Sequence, residues 1–225
     1  MFDIEGPIQD PASGQAPTSA VIFLHGYGAD GNDLIGLAPF FATALPGAVF
    51  HSPHAPEPCE IAPFGRQWFS LGDYDPKQSA TFQLLLPHIR AAAYLFDDYI
   101  DGVMAHYGLT ADRVALVGFS QGTMMALHVA LRRKTPLAAV VGFSGALIGS
   151  EVLAQEITAR PPVKLIHGEE DEVVPFAAMA MAEAALHAVG VSVTTMARPG
   201  LAHGIDAEGA VRASHFLAGH LGCSL

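Results

Sequence analysis

Two short segments place a serine directly after a strand-like apolar run, and a serine in that setting can act as a nucleophile. Residues 118–122 read GFSQG and residues 142–146 read GFSGA. The first matches the G-x-S-x-G pattern, in which the serine stands on a strained turn between a buried strand and a helix. Side chains at the two outer glycines would collide with neighbouring backbone. The second copy has Ala146 in fifth place and a weaker helix start. We therefore predict that Ser120 is a nucleophile and that Ser144 ends a strand near the site.

A serine hydroxyl is a poor nucleophile until a histidine accepts its proton, and that histidine needs a carboxylate to orient it. In folds built around this turn, the acid follows the serine and precedes the histidine. Asp171 is the only aspartate between Ser120 and the last predicted strand, and it lies in HGEEDEVVP, just past a strand. Its neighbours Glu169, Glu170 and Glu172 are interpreted as solvated loop charges. The sequence predicts Asp171 as the acid.

Four histidines follow Asp171 and compete for the role of base. His187 lies in a helical pattern. His215 and His220 lie in the C-terminal helix, where a histidine near the last turn interacts favourably with the helix dipole. His203, in RPGLAHGID, follows the last strand on a glycine-containing loop that can direct an imidazole into a cleft. We predict His203 as the base.

The reaction also needs hydrogen-bond donors for the oxyanion of the tetrahedral intermediate. One donor is the backbone amide after the nucleophile, that of Gln121. The other is expected from the loop after an early strand, and VIFLHGYGADGNDL at residues 21–34 has glycines that let the backbone bend tightly. The amide of Tyr27 is the predicted second donor.

The elements that must position these residues alternate between apolar strands and longer helical patterns. Of the 225 residues, 51% are apolar and 15% are charged, which predicts one α/β domain over 1–225. Continuously apolar strands are typical of a parallel sheet that is buried on both faces. The predicted strands are Ala20–His25, Ala48–His51, Arg113–Phe119, Ala138–Phe143, Val163–His167 and Val191–Ala197. The predicted helices are Asn32–Leu45, His88–His106, Gln121–Lys134, Pro175–Val189 and Asp206–Leu221.

Two stretches lack a regular pattern. Residues 1–18 read as an N-terminal extension, and residues 51–76 read as a long proline-rich loop with an aromatic cluster. Long loops in compact domains are usually functional, so this one is expected near the active site. Its apolar side chains are predicted to bind the acyl chain of a substrate, or alternatively only to fix the loop to the core; they are Phe64, Trp68, Phe69 and Leu71.

Composition excludes several other classes of function. The net charge of -11 opposes binding to nucleic acid or to an anionic membrane. No apolar run approaches the ~18–20 residues of a membrane span. Cys59 and Cys223 lie far apart and no leader precedes them, which predicts reduced thiols and a cytoplasmic protein. His51 and His54 have no cysteine or acidic partner at suitable spacing, so no metal and no cofactor are expected.

Taken together, the motifs resemble the phospholipase/carboxylesterase family, which includes acyl-protein thioesterases and small bacterial carboxylesterases. They run in order from about residue 20 to about residue 220: FLHGYGADGNDL, PHAPE, QWFSL, GFSQGTMMALHVAL, HGEEDEVVP and LAHGI. The resemblance implies an α/β-hydrolase fold, a doubly wound and mostly parallel sheet flanked by helices without a large cap domain. It also implies hydrolysis of esters or thioesters through an acyl-enzyme, and a possible homodimer. One departure is Tyr27, where many members of the family have leucine.

The leading hypothesis is a serine hydrolase for carboxylic esters with short to medium acyl chains, acting on small molecules. An acyl-protein thioesterase or a lysophospholipase for longer chains would share all of this chemistry. A serine peptidase and a non-catalytic binding protein on a hydrolase scaffold are the remaining alternatives. Against the peptidase, the sequence shows no substrate-gating domain. Against the binding protein, every expected position of the triad is filled, whereas a non-catalytic relative would be expected to have lost one.

Overall fold

The computed structural model describes residues 4–72 and 79–222, so Cys223 and residues 73–76 of the predicted loop lie outside the described residues. In this part of the chain the strands are β1 (Ile8–Gln9), β2 (Ser19–Leu24), β3 (Ala48–His51), β4 (Glu57–Pro58), β5 (Arg66–Gln67), β6 (Val114–Phe119), β7 (Ala139–Phe143), β8 (Val163–Gly168) and β9 (Val193–Arg198). Seven of them form one sheet in the order β1-β3-β2-β6-β7-β8-β9, and β4 pairs with β5. All neighbours in the large sheet are parallel except β1 and β3.

Helices cover both faces of this sheet. They are α1 (Gly31–Ile35), α2 (Ala38–Ala42), α3 (Leu86–Tyr107), α4 (Gln121–Ala130), α5 (Leu153–Glu156), α6 (Ala177–Ala188) and α7 (Ala207–His220). One apolar core joins the sheet to α3, α4 and α6, and a second joins the opposite face to α1, α2 and α7. The predicted doubly wound α/β fold is confirmed. None of the helices in the described ranges is long and apolar enough to span a membrane.

The predicted single helix over 32–45 is wrong, because two short helices occupy this stretch. Asp30 caps the first, and its carboxylate accepts a hydrogen bond of 2.8 Å from the amide of Asn32. This helix ends at Ile35, and Gly36 is its C-cap. Pro39 stands in the first turn of α2, where a backbone N–H would have no partner within the helix, so proline is tolerated there. The predicted strand Ala48–His51 is observed with the same ends, the remaining predicted strands and helices are observed with shifted ends, and α5 is an addition.

The N-terminal segment contributes a strand that the sequence did not predict. Within the stretch interpreted as an extension, Ile8 and Gln9 pair antiparallel with His51 and Phe50 at the edge of the large sheet. Two further backbone bonds follow at this edge, from the amide of Ser52 to Pro7 at 3.0 Å and from the amide of His54 to Glu5 at 2.7 Å. The segment before β2 is therefore part of the folded sheet.

The segment predicted as an irregular loop over 51–76 contains the β4–β5 hairpin. Glu57 lies opposite Gln67, and Pro58 lies opposite Arg66. The amide of Arg66 donates to Ala29 at 2.8 Å, and the amide of Gly28 donates to Arg66 at 2.9 Å. The hairpin is thus bonded to the loop that follows β2, at the carboxyl end of the parallel strands.

Candidate active site

The turn between β6 and α4 has the geometry that the G-x-S-x-G pattern predicts. Ser120 has a backbone φ of 53°, a value that is strained for a residue other than glycine. A Cβ at Gly118 would overlap the amide of Thr123, and a Cβ at Gly122 would overlap the carbonyl of Leu24. Both glycines are therefore required by close backbone contacts, and the serine stands at the start of the helix.

Asp171 and His203 lie in direct contact on the loops that follow β8 and β9. The His203 Nδ1 atom donates to the Asp171 Oδ2 atom at 2.8 Å, which leaves Nε2 of His203 as the acceptor in the neutral ring. The Asp171 side chain is fully buried, and its Oδ1 atom accepts from the amides of Val173 and Val174 at 2.9 Å each. Burial disfavours the carboxylate, yet hydrogen bonds from His167, His203 and Val174 hold the pKa of Asp171 below its usual range.

Backbone contacts bring these two loops together. A Cβ at Gly168 would overlap the carbonyl oxygens of Leu201 and Ala202, so the chain can pass here only as glycine. The amide of Glu170 also donates to the carbonyl of Leu201 at 3.0 Å. Close packing of the two loops therefore places the acid next to the histidine.

The loop that carries His203 is held at both ends. The Arg198 guanidinium at the end of β9 donates to the Asp206 Oδ2 atom from Nε at 2.8 Å and from Nη2 at 2.6 Å. Asp206 also caps α7, since its Oδ1 atom accepts from the amide of Gly209 at 2.8 Å. This clamp spans the loop and restricts the positions that the imidazole can reach.

The serine turn lies beside this pair. The ring of Phe119, the residue before Ser120, packs against the His203 ring with 4.8 Å between their centroids. Ser120, Asp171 and His203 thus stand at the carboxyl ends of β6, β8 and β9, on one edge of the sheet. The structure brings Asp171 and His203 into contact and places the Ser120 turn beside them through Phe119, and the catalytic roles of the three residues stay a prediction.

The two predicted oxyanion donors lie at the same edge. The Cβ position at Gly26 is 3.5 Å from Cβ of Ser120, so the loop after β2 borders the serine. In the described part of the chain, the backbone amides of Tyr27 and Gln121 have no hydrogen-bond acceptor, whereas the Gly28 amide is taken by Arg66. These two amides are available to a ligand, and their role as oxyanion donors stays a prediction.

Comparisons with known proteins identify the family of this chain. The family model described as Phospholipase/Carboxylesterase matches residues 8–221. The chain belongs to the phospholipase/carboxylesterase family. Esterase YpfH of Escherichia coli K12 is 30% identical over 188 residues, which cover 83% of this chain and 76% of that protein. Acyl-protein thioesterase 1 of Gibberella zeae is 28% identical over 214 residues, or 88% of each chain. The crystal structure of esterase PE8 superposes with a TM-score of 0.89 at 37% identity, covering 97% of this chain and 99% of that one.

Tyr27 is where the sequence departs from many members of this family, and its side chain is directed towards the hairpin segment. The phenol donates to the Glu60 Oε2 atom at 3.2 Å. Burial, a hydrogen bond with the Cys59 thiol and the Glu60 carboxylate together raise the pKa of Tyr27. The tyrosine therefore links the loop after β2 to the segment around residue 60.

The side chain of Gln121 has a role that the sequence reasoning missed, since it considered only the backbone amide. Its Oε1 atom accepts from the amide of Trp68 at 2.9 Å, and its Nε2 atom donates to the carbonyl of Phe69 at 2.7 Å. Gln121 is 2% exposed, so both bonds are buried. A polar residue at a position expected to be buried was the available signal, although its partners lie about fifty residues away in the sequence.

His25 is a second positioning residue that the sequence did not predict, because it connects the loop after β2 with residues 55 and 68. Its Nε2 atom accepts from the amide of Ala55 at 2.9 Å, and Nδ1 faces the carbonyl of Gly26 at 2.8 Å. The Trp68 indole donates to the His25 carbonyl at 2.9 Å. Burial lowers the pKa of His25, which favours the neutral ring protonated on Nδ1.

The four apolar residues predicted to bind the acyl chain have different surroundings. Phe64 is 97% exposed, whereas Trp68 and Phe69 are each 1% exposed and belong to the core. Leu71 is partly buried and packs against the same core. The alternative, that the aromatic residues fix the loop, describes Trp68 and Phe69 better. Acyl binding by this group stays a prediction that the burial of its members does not support.

Ser144 and the histidines of HSPHAP make no contact with the predicted triad side chains among the hydrogen bonds of the described residues. Ser144 follows β7, is 1% exposed, and its hydroxyl has no partner among the described residues. His51 contacts the hydroxyls of Tyr99 and Tyr107, and His54 accepts from the amide of Gly31. Over the described ranges, no cluster of three or more potential ligands could hold a metal ion.

Two of the cavities lie on opposite faces of the sheet. A cavity of about 70 Å³ lies past the end of β7, and its walls include Phe82, Leu147 and Met181. A larger groove of about 710 Å³ lies between α2 and α7, on the opposite face of the sheet from α4. None of the residues predicted for the triad lines either cavity.

Proposed function

We propose that this protein hydrolyses carboxylic esters of small molecules through Ser120, His203 and Asp171. As a member of the phospholipase/carboxylesterase family, it is a carboxylic ester hydrolase. The observation that carries the residue assignment is the contact between His203 and the buried Asp171 beside a serine on a strained strand-to-helix turn. The relatives named esterase and acyl-protein thioesterase support the same reaction class.

In the proposed mechanism, Nε2 of His203 takes the proton of Ser120 as its Oγ attacks the acyl carbonyl. Asp171 keeps the imidazole in the tautomer that is protonated on Nδ1 and stabilises the imidazolium. The amides of Tyr27 and Gln121 bind the oxyanion, aided by the N-terminus of α4. The alcohol leaves with the proton from His203, and water then repeats the sequence on the acyl-enzyme to release the acid.

The proposed preference is for short to medium acyl chains. This preference rests on sequence reasoning, because none of the residues predicted for the triad or the oxyanion donors lines the cavity of about 70 Å³ past the end of β7. A thioesterase or a lysophospholipase for longer chains is the alternative, since the chemistry at Ser120 is the same. We also propose a cytoplasmic location, which rests on sequence reasoning, and a homodimer, which rests on the family resemblance.

The test is kcat/KM on p-nitrophenyl esters of increasing acyl length, for the wild type and for Ser120→Ala. We expect a maximum at two to six acyl carbons and loss of turnover in Ser120→Ala. A maximum at twelve or more carbons would move the assignment to the long-chain alternative. An alanine variant that keeps its rate would refute the assignment of Ser120.

A further inference from the structure

One carboxylate oxygen of Asp171 faces two histidines. Its Oδ2 atom is 2.8 Å from Nδ1 of His203 and 3.2 Å from Nε2 of His167. The other oxygen, Oδ1, is taken by the amides of Val173 and Val174. His203 is the base of the proposed mechanism, and His167 has no role in that mechanism. The His167 side chain is only 2% exposed, so its contact with Asp171 is buried.

The contacts of His167 identify the atom that carries its proton. Nε2 lies 2.9 Å from the carbonyl oxygen of Val174 in addition to its contact with Asp171. A carbonyl and a carboxylate are both acceptors, so Nε2 must be the protonated nitrogen: it donates to the Val174 carbonyl and presents the same N–H to Asp171 Oδ2 at 3.2 Å. The Phe176 ring packs edge-on against the imidazole, with 5.9 Å between centroids, and helps to fix its plane. The His167 donor is therefore held in one orientation towards the acid.

We propose that His167 is a positioning residue of the triad, and that it holds the Asp171 carboxylate towards His203 and moderates its charge. This inference rests on the proposed function. A donor to Oδ2 withdraws charge from the oxygen that stabilises protonated His203, so the two histidines compete for the same lone pairs. Without His167, Oδ2 would be a stronger acceptor for His203 alone and protonated His203 would be more stable.

The other charged groups around this carboxylate are few. Glu169, Glu170 and Glu172 lie on the same loop and are exposed. On the neighbouring elements, Arg198 is paired with Asp206 and Glu208. Solvent screens the exposed glutamates, so the buried contact with His167 is the one expected to change the behaviour of the acid most.

The test is the pH dependence of kcat/KM on p-nitrophenyl butyrate for wild type, His167→Phe and His167→Gln. Phenylalanine keeps the ring volume without a donor, whereas glutamine keeps a donor at similar reach. We expect the acid limb of His167→Phe to move to higher pH by about 0.5–1 unit, with kcat reduced about tenfold and KM within about twofold. In His167→Gln the limb should stay within about 0.2 unit of the wild type. An unshifted limb in His167→Phe, or equal shifts in both variants, would overturn the proposal.

A second measurement uses the wild type, so it stands even where the phenylalanine variant does not fold. Nitrogen-15 NMR of the histidine rings should show that neutral His167 carries its proton on Nε2. A ring protonated on Nδ1, or one averaging between tautomers, would contradict the contact. This experiment does not need turnover, whereas retained activity in Ser120→Ala would refute the proposed function itself.

Discussion

The turns that follow β6 and β7 share three residues and a backbone shape, yet only one of them is proposed to carry a nucleophile. Phe119 and Phe143 are register partners on adjacent strands, and the serines after them have φ values of 53° and 46°. The difference lies in what surrounds each hydroxyl. Ser120 opens a helix and lies beside the ring pair of Phe119 and His203, whereas the Ser144 hydroxyl is enclosed without a partner.

Backbone strain alone therefore does not identify a nucleophile. Both serines adopt a conformation that costs on the order of 1 kcal/mol or more. Of the two turns, only that of Ser120 combines the strain with a helix N-terminus, a nearby imidazole and the unpaired amides of Tyr27 and Gln121. The predictions below separate the two turns, starting from the largest expected effect.

Removal of each serine hydroxyl should have opposite outcomes for activity. Ser120→Ala should lower kcat on p-nitrophenyl butyrate by at least about 10⁴-fold, because the attacking atom is lost. Ser144→Ala should stay within about threefold of the wild type, since its hydroxyl makes no hydrogen bond with a described residue. Steady-state kinetics on both purified variants checks this, and comparable losses would mean that the second turn takes part in the reaction.

The residue in fifth place should affect stability very differently in the two turns. A Cβ at Gly122 would overlap the carbonyls of Leu24 and His25, so Gly122→Ala should reduce the free energy of unfolding by about 3 kcal/mol or more. The matched change Ala146→Gly removes only one buried methyl and should cost about 1 kcal/mol. Urea denaturation measures both, and a Gly122→Ala variant of wild-type stability would show that the turn can relax.

The residue after each serine provides a third contrast, because Gln121 bonds to the 68–69 segment through its side chain and Gly145 has no side chain. Gln121→Ala would leave the amide of Trp68 and the carbonyl of Phe69 buried without partners, and we expect kcat/KM to fall about 10–100-fold as the loop shifts. Gln67→Ala is a suitable control, because that glutamine bonds within its own hairpin region at Glu57 and Glu60. Equal losses in both variants would indicate general loosening of the segment rather than a specific contact with the serine turn.

The smallest effect is expected from relief of strain at the second turn. Ser144→Gly should raise the free energy of unfolding by about 1 kcal/mol, because glycine accepts a positive φ and no buried hydroxyl remains unsatisfied. The thermal midpoint should rise by about 2–4 °C with activity unchanged. Ser144→Ala keeps the strain and should gain less, so a scanning calorimetry comparison separates the two causes.

Sequence patterns were sufficient for most of the sheet, because strands buried on both faces read as continuous apolar runs. They failed for β1, a two-residue strand that is too short to show a period, and for the interruption between α1 and α2. At the site, motif order identified Asp171 and His203, which the structure places in contact. The contacts of Gln121 and His167 depend on which loops meet in space, so a linear pattern cannot predict them.

The aromatic cluster shows a related limit of composition. Phe64 and Trp68 are four residues apart in one loop, yet one is 97% exposed and the other 1%. Which of them faces inward is set by the hairpin and by the bonds from the Trp68 backbone and indole to Gln121 and His25. Residue type alone therefore could not distinguish a pocket wall from a core anchor.

The pairing of β1 with β3 protects the sheet from self-association. An unpaired edge strand presents N–H and C=O groups that can template pairing with another chain. Ala48–His51 is wholly buried and mostly apolar, and Ile8 and Gln9 occupy its open side. Removal of the first ten residues would expose this strand and make the edge a site of aggregation. The N-terminal segment therefore keeps other chains from pairing with β3.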